Sequence, residues 1–155
     1  MRKKKTNYKR KKRGPVQANK VTYDGIKFAS GLERYMYQAL KKNEIKTVYE
    51  GATFEIVEEF MFNVLSYERT ANGKGEFKER GNKKILPIKY TPDFICPEYS
   101  YIIECKGRAN ESFPLRWKLF KRYVIKNYPN TILFKPQNQK ECDQTVQLIL
   151  MLRKQ

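Results

Sequence analysis

"YTPDFICPEYSYIIECKGR", residues 90–108, is rich in aromatic and β-branched side chains, yet it holds Asp93, Glu104 and Lys106. Two apolar runs flank Pro97 and Glu98, the pattern of two short strands joined by a tight turn. A turn centred between Glu98 and Tyr99 pairs residue 93 with residue 104, setting Asp93 directly across from Glu104. Opposed carboxylates repel and destabilise a sheet unless a cation lies between them. Lys106 shares the face of Glu104, and Ile103 and Cys105 point the other way, into a core. Two readings follow. In one, the carboxylates form half a cage for a hard cation such as Mg²⁺, which takes one or two carboxylates together with water and phosphate oxygens. Lys106 then orients or deprotonates an attacking water. In the other, the strand faces solvent, Lys106 pairs with Glu104, and Asp93 only starts the strand.

Composition narrows the chemistry. The 155 residues include no histidine and three cysteines (Cys96, Cys105, Cys142) without CxxC spacing. A zinc site, a disulfide framework and histidine-assisted nucleophilic catalysis are therefore not expected. No run of ~18 apolar residues is present to span a membrane, and the basic N-terminus lacks the apolar stretch of a secretory signal. A cytoplasmic protein is expected.

The charge is +17, from 33 Lys and Arg against 16 Asp and Glu. Ten of those basic residues lie in residues 1–20, with no acid (Arg2, Lys3, Lys4, Lys5, Lys9, Arg10, Lys11, Lys12, Arg13, Lys20), leaving +7 for the other 135. Such a segment self-repels and lacks apolar periodicity, so residues 1–20 read as a disordered arm for a polyanion. A solubilising tail or a localisation signal is the plainer alternative. Residues 21–155 read as one domain.

Within that domain "VTYDGIKF" carries a hairpin-turn signal at Asp24-Gly25. "SGLERYMYQALKK" predicts a helix with Ser30 as N-cap and Glu33 completing an S-x-x-E capping box. Residues 45–67 predict one or two strands, and the charged, Gly-rich stretch 68–84 an exposed loop. The hairpin at 90–108 follows, then a helix from Pro114 with Trp117, Phe120 and Val124 on one side. "TILFK" predicts a buried-type strand, and residues from Glu141 a closing helix with Val146, Ile149 and Leu150 inward. The expected class is α/β, a mixed β-sheet flanked by helices.

"PDF" at 92–94 followed by "ECK" at 104–106 resembles the signature of the PD-(D/E)XK nuclease superfamily. "SGLE" (30–33), "YTPDF" (90–94) and "IECKG" (103–107) resemble, more narrowly, the phage endonuclease I type of Holliday-junction resolvase. "DGIKFASGLE" and "LPIKYTPDF" are also similar to a group of short phage proteins of the same superfamily. The likeness spans roughly residues 22–135, concentrated in three short blocks. It implies a restriction-endonuclease-like core and a Mg²⁺-dependent endodeoxyribonuclease, with Mn²⁺ as substitute.

Carried onto matching positions, the resemblance makes Asp93 and Glu104 metal ligands, with the Cys105 carbonyl as a further one. Lys106 becomes the catalytic lysine, and Glu33 a helix carboxylate holding a second metal or its waters. Glu33 has a competing explanation in the capping box. The resemblance also implies branched DNA as substrate, a homodimer, and the cytoplasm of a bacterial host. Two departures bear on substrate geometry: the longer 68–84 stretch and one extra residue between Asp93 and Glu104. Phosphate contacts are expected from the arm, from Arg69, Lys74, Lys78, Arg80, Lys83 and Lys84, and from Arg108, Lys118, Lys121 and Arg122. For the helix residues a solvated face is an equal alternative. The competing functions are a nicking or duplex endonuclease for repair or host-DNA degradation, and a non-catalytic basic nucleic-acid-binding protein.

Overall fold

Asp24 and Gly25 adopt left-handed φ angles of 56° and 77°, the backbone of a two-residue hairpin turn. They close β1 (Val21–Tyr23) onto β2 (Ile26–Phe28) in the computed structural model, which describes residues 19–70, 72–98, 100–108 and 110–153. The basic residues Arg2 to Arg13 of the expected arm lie outside the described residues. Helix α1 (Gly31–Lys42) follows, capped by the Ser30 side chain, which accepts the Glu33 N–H. Among the described residues no helix is long and apolar enough to cross a membrane.

Four short strands occupy the stretch where one or two were expected: β3 (Val48–Tyr49), β4 (Phe54–Val57), β5 (Phe60–Phe62) and β6 (Tyr67–Glu68). The chain then returns through β7 (Lys78–Glu79), β8 (Lys83–Ile85), β9 (Ile88–Tyr90) and β10 (Phe94–Ile95). Outgoing and returning strands pair antiparallel throughout, from Val48↔Ile95 to Glu68↔Lys78. The register slips by one residue at three points, between Tyr49↔Phe94, Phe54↔Tyr90, Val57↔Ile88 and Tyr67↔Glu79. Such slips mark bulges, which interrupt the ladder and raise the local twist. Residues 68–84 are thus only in part the expected exposed loop: the described residues of 69–77 hold no strand, while Glu68, Lys78–Glu79, Lys83 and Lys84 pair into the distal part of a two-stranded ribbon. Charge and glycine content concealed it because pairing there uses backbone groups on a surface with no core side.

β11 (Tyr101–Ile103), α2 (Phe113–Asn127), β12 (Ile132–Phe134) and α3 (Gln139–Leu152) complete the chain. The central sheet has the order β12-β11-β10-β3, with β11 and β12 parallel and the other pairs antiparallel. Residues 94 and 103 pair, as do 95 and 102, which continues to 93 and 104 as the sequence predicts. β12 is an edge strand with Ile132 exposed, less buried than expected.

Two apolar layers cover the sheet. Met36 and Leu40 of α1 and Cys142, Val146 and Ile149 of α3 pack with Phe94, Ile103 and Cys105 on one face. Phe113, Trp117, Phe120 and Val124 of α2 pack with Ile95, Ile102, Phe54 and Tyr90 on the other. The protein is an α/β layer structure with a mixed sheet. Asp93 immediately precedes β10, while Glu104 and Lys135 immediately follow β11 and β12, so one sheet end collects all three.

Candidate active site

Glu104 is 6% exposed although it is charged and continues a strand. Its neighbours Ile103 and Cys105 face the α1–α3 layer, so strand alternation turns Glu104 toward the α2 side. Its backbone stays in the sheet: the Glu104 N–H donates to the Phe134 carbonyl at 2.9 Å and the Lys106 N–H to that of Pro136 at 2.9 Å. Asp93 is anchored from both sides. Its carbonyl accepts the Glu50 N–H at 2.8 Å, and its Oδ2 accepts the Cys105 N–H at 2.6 Å. Pro92, fully buried, ends the ladder just before it.

The two carboxyls destabilise each other as anions. Burial, then the charges of Glu104 and Glu33, hold the Asp93 carboxyl far above the usual carboxylate range, against a smaller opposite pull from the Cys105 N–H and Lys106. Burial also raises Glu104, opposed by Tyr90 and Lys106. The Tyr90 hydroxyl stands beside Glu104, yet neither it nor Glu104 Oε2 completes a hydrogen bond of normal geometry. Burial and the adjacent carboxylate push the Tyr90 phenol upward. A buried carboxylate oxygen without a donor costs free energy that a bound cation would remove. This donor set, two carboxyls whose anionic forms a cation would stabilise, fits a hard divalent cation. Among the described residues, however, no three His, Cys, Asp or Glu side chains are gathered closely enough to hold a metal by themselves.

Lys106 extends across the α2 end of the site, its Nζ 4.6 Å from the Phe113 ring centroid. Lys135 reaches the same ring at 5.9 Å. Parallel pairing of Ile103 with Phe134 places Lys135 beside Glu104 in the next position of the sheet. Asp93, Glu104 and Lys135 therefore form one row across three adjacent strands. The sequence reading overlooked Lys135 because only the parallel register of β12, a non-local property, brings it there.

Glu33 arrives from α1, buried to 6% exposure. Its Oε1 accepts the Ser30 hydroxyl at 2.8 Å; its Oε2 accepts the Ala29 N–H at 2.9 Å and the Tyr49 hydroxyl at 2.7 Å. The capping box is present in a shifted form, reaching the amide before Ser30. Glu33 lies within electrostatic reach of both site carboxyls, but both its oxygens already have donors. The Cys105 side chain turns into the core against Cys142, leaving only its backbone to contact a ligand.

The remaining expected phosphate contacts scatter. Arg108, Lys118, Lys121 and Arg122 are exposed. Lys121 sits over the Trp117 ring, and Arg122 lines a cleft with Glu55, Glu58 and Glu59 at the ribbon base, which contains none of the site carboxyls. Arg116 had not been singled out. It donates to the Lys89 carbonyl at 2.6 Å and lies 5.6 Å from the Tyr90 ring, bracing the wall beside Glu104.

The profile of a family described as a protein of unknown function (DUF1064) matches residues 13–136, and the chain belongs to that family. No curated protein and no solved structure matches it.

Proposed function

We propose that this family member is a metal-dependent DNA endonuclease with a PD-(D/E)XK-type core, selective for branched DNA. The observation that carries the reading is the buried Asp93–Glu104 pair with an orphaned oxygen on Glu104, flanked by Lys106. Such a pair is costly in a sheet without a counter-charge, and the resemblance at 30–33, 90–94 and 103–107 assigns it a use.

Asp93 and Glu104 would hold the divalent ion, with the Cys105 carbonyl completing the protein's share. When bound there, the ion supplies Lewis-acid activation and neutralises charge at the scissile phosphate. Lys106 would orient the attacking water and take up its proton as the bond from phosphorus to the 3′ oxygen breaks, the leaving oxygen taking a proton from solvent. Lys135 holds a non-bridging phosphate oxygen, its ammonium steadied over Phe113. Glu33 acts through position: it fixes Ser30, Ala29 and Tyr49 around the sheet end. The high positive charge supplies substrate attraction, and two copies would cut opposed strands of a junction.

A second reading, a non-catalytic DNA-binding protein, draws on the absence of a closed three-ligand cage among the described residues. Cleavage of a labelled four-way junction and a matched duplex in Mg²⁺ separates these readings. Junction cleavage lost in Asp93→Ala and Glu104→Ala, with binding kept, supports the proposal. Equal cutting of junction and duplex removes the branched-DNA element, and tight binding without cutting favours the second reading.

A further inference from the structure

Tyr67 begins β6, and Phe77 immediately precedes β7. Tyr67 pairs with Glu79, two residues beyond Phe77, so the two rings are diagonal neighbours on one face of the ribbon. Their centroids lie 6.3 Å apart, with 37° between the planes. Packing on each other covers little of either ring: Tyr67 is 60% exposed and Phe77 66%. The β6–β7 pair has no third strand, and no described residue between 55 and 89 is buried. Among the described residues, nothing covers the pair. A cross-strand ring pair stabilises a hairpin, but that use needs contact between the rings, not the exposure of more than half of each.

The charge around the rings selects the occupant. Residues 55–67 hold three acids and no base, whereas residues 68–84 hold six basic side chains and three acids. Two of those acids are already engaged: Glu68 pairs with Lys83 at 3.1 Å, and Glu79 accepts the Gly81 N–H. Arg69, Lys74 and Lys78 make no ion pair among the described residues. Exposed ring faces beside such cations match a nucleic-acid strand, whose bases stack on the rings and whose phosphates attract the cations. In a duplex the bases present only their edges to a protein, so ring faces engage a base that is unpaired.

We infer that Tyr67 and Phe77 form a stacking platform for an unpaired base of bound DNA, with Arg69, Lys74 and Lys78 on its phosphates. The inference rests on the DNA reading above and adds where selectivity for branched over plain duplex DNA resides, because branch points and strand ends supply such bases. Ten residues separate Val57 from Tyr67, roughly 30 Å of strand at about 3.3 Å per residue. The platform is therefore remote, along the ribbon, from Asp93 and Glu104. Its binding needs no metal chemistry.

Fluorescence anisotropy in chelator tests it, using the full chain with a labelled oligothymidine and with a blunt duplex of equal length. Tyr67→Leu with Phe77→Leu keeps apolar bulk in the hairpin and removes the ring faces. This variant is expected to bind the oligothymidine about tenfold or more weakly, with duplex binding unchanged. Its slope of log affinity against log salt should equal that of the wild type, because stacking releases no counterions. Lys78→Ala is expected to lower that slope by about 0.7, one phosphate contact on a single strand. Phe77→Trp keeps a ring, and the oligothymidine is expected to quench its added indole emission, unlike that of the buried Trp117. A leucine pair that binds the oligothymidine like wild type overturns the inference and leaves the nuclease reading standing. Equal losses on oligothymidine and duplex also overturn it, making the rings a support for the ribbon's shape. A wild type that binds neither DNA overturns both. Ring-dependent oligothymidine binding by a protein that cuts nothing in Mg²⁺ upholds the platform and removes the cleavage reading.

Discussion

Asp93 Oδ2 accepts the backbone N–H of Cys105 at 2.6 Å, across the β10–β11 ladder and one residue past its partner Glu104. The bond holds the Asp93 carboxyl in place beside Glu104, although the two repel. It compensates only part of the burial cost, since the Asp93 pKa still lies well above normal.

That imbalance sets a pH dependence. An ordinary carboxyl titrates near 4, and Asp93 in the folded protein is raised to about 9. Between these values the folded state binds more protons than the unfolded state, so stability falls as pH rises. In chelator, thermal melts should decline from about pH 5 to pH 9, and Asp93→Asn should flatten the decline. Millimolar Mg²⁺ should restore wild-type stability at pH 8 and have little effect on Asp93→Asn. A wild-type melt unmoved by Mg²⁺ at pH 8 would count against a cation at this pair.

Glu33 should separate stability from chemistry. Glu33→Ala strips the Tyr49 hydroxyl of its acceptor, leaves the Ala29 N–H only its longer 3.3 Å bond to the Tyr49 oxygen, and should cost about 2–3 kcal/mol in denaturant unfolding. Glu33→Gln keeps an acceptor while removing a charge that raises Asp93. Its pH–stability decline should therefore be shallower than wild type, with cleavage within about tenfold. Loss of cleavage by more than a hundredfold in a stable Glu33→Gln protein would move Glu33 into the catalytic set.

Lys106 and Lys135 share the Phe113 ring but should fail differently. Lys106→Ala should abolish single-turnover cleavage while junction affinity stays near wild type. Lys135→Ala should raise KM more than it lowers kcat, and reduce the slope of log affinity against log salt by about 1. Identical kinetics for the two variants would deny Lys135 a separate phosphate contact.

Phe120 is fully buried beneath Tyr90, with ring centroids 4.4 Å apart. Phe120→Ala should destabilise by about 3–5 kcal/mol and loosen the wall beside Glu104. Chemical denaturation gives the first quantity. Mg²⁺ titration by calorimetry on the folded fraction should show weakened binding.

Local signals read correctly wherever the decisive interactions lie close in sequence. The Asp24-Gly25 turn, the Ser30 cap and the hairpin register that opposes Asp93 and Glu104 each depend on residues within about a dozen positions. Helix ends shifted slightly: α2 begins at Phe113, and α3 at Gln139 behind an Asn138 cap. The far end of the ribbon was misread because its strands carry neither a buried face nor the alternation that such a face imposes, while its outgoing half fell within the strands expected over 45–67.

The sequence by itself determined the chemistry that can occur: no imidazole, a strongly positive field, and two carboxylates forced opposite each other by a short turn. Only the tertiary structure decided what surrounds them. Parallel pairing of β12 brings Lys135 into the row, α1 delivers Glu33 with its oxygens already committed, and α2 supplies the ring beneath two lysines. Apart from Lys106 and the Phe113 ring close to it in sequence, those contacts join segments sixteen or more residues apart. Their geometry follows from which layers bury which faces, a property of the whole chain that no local spacing encodes.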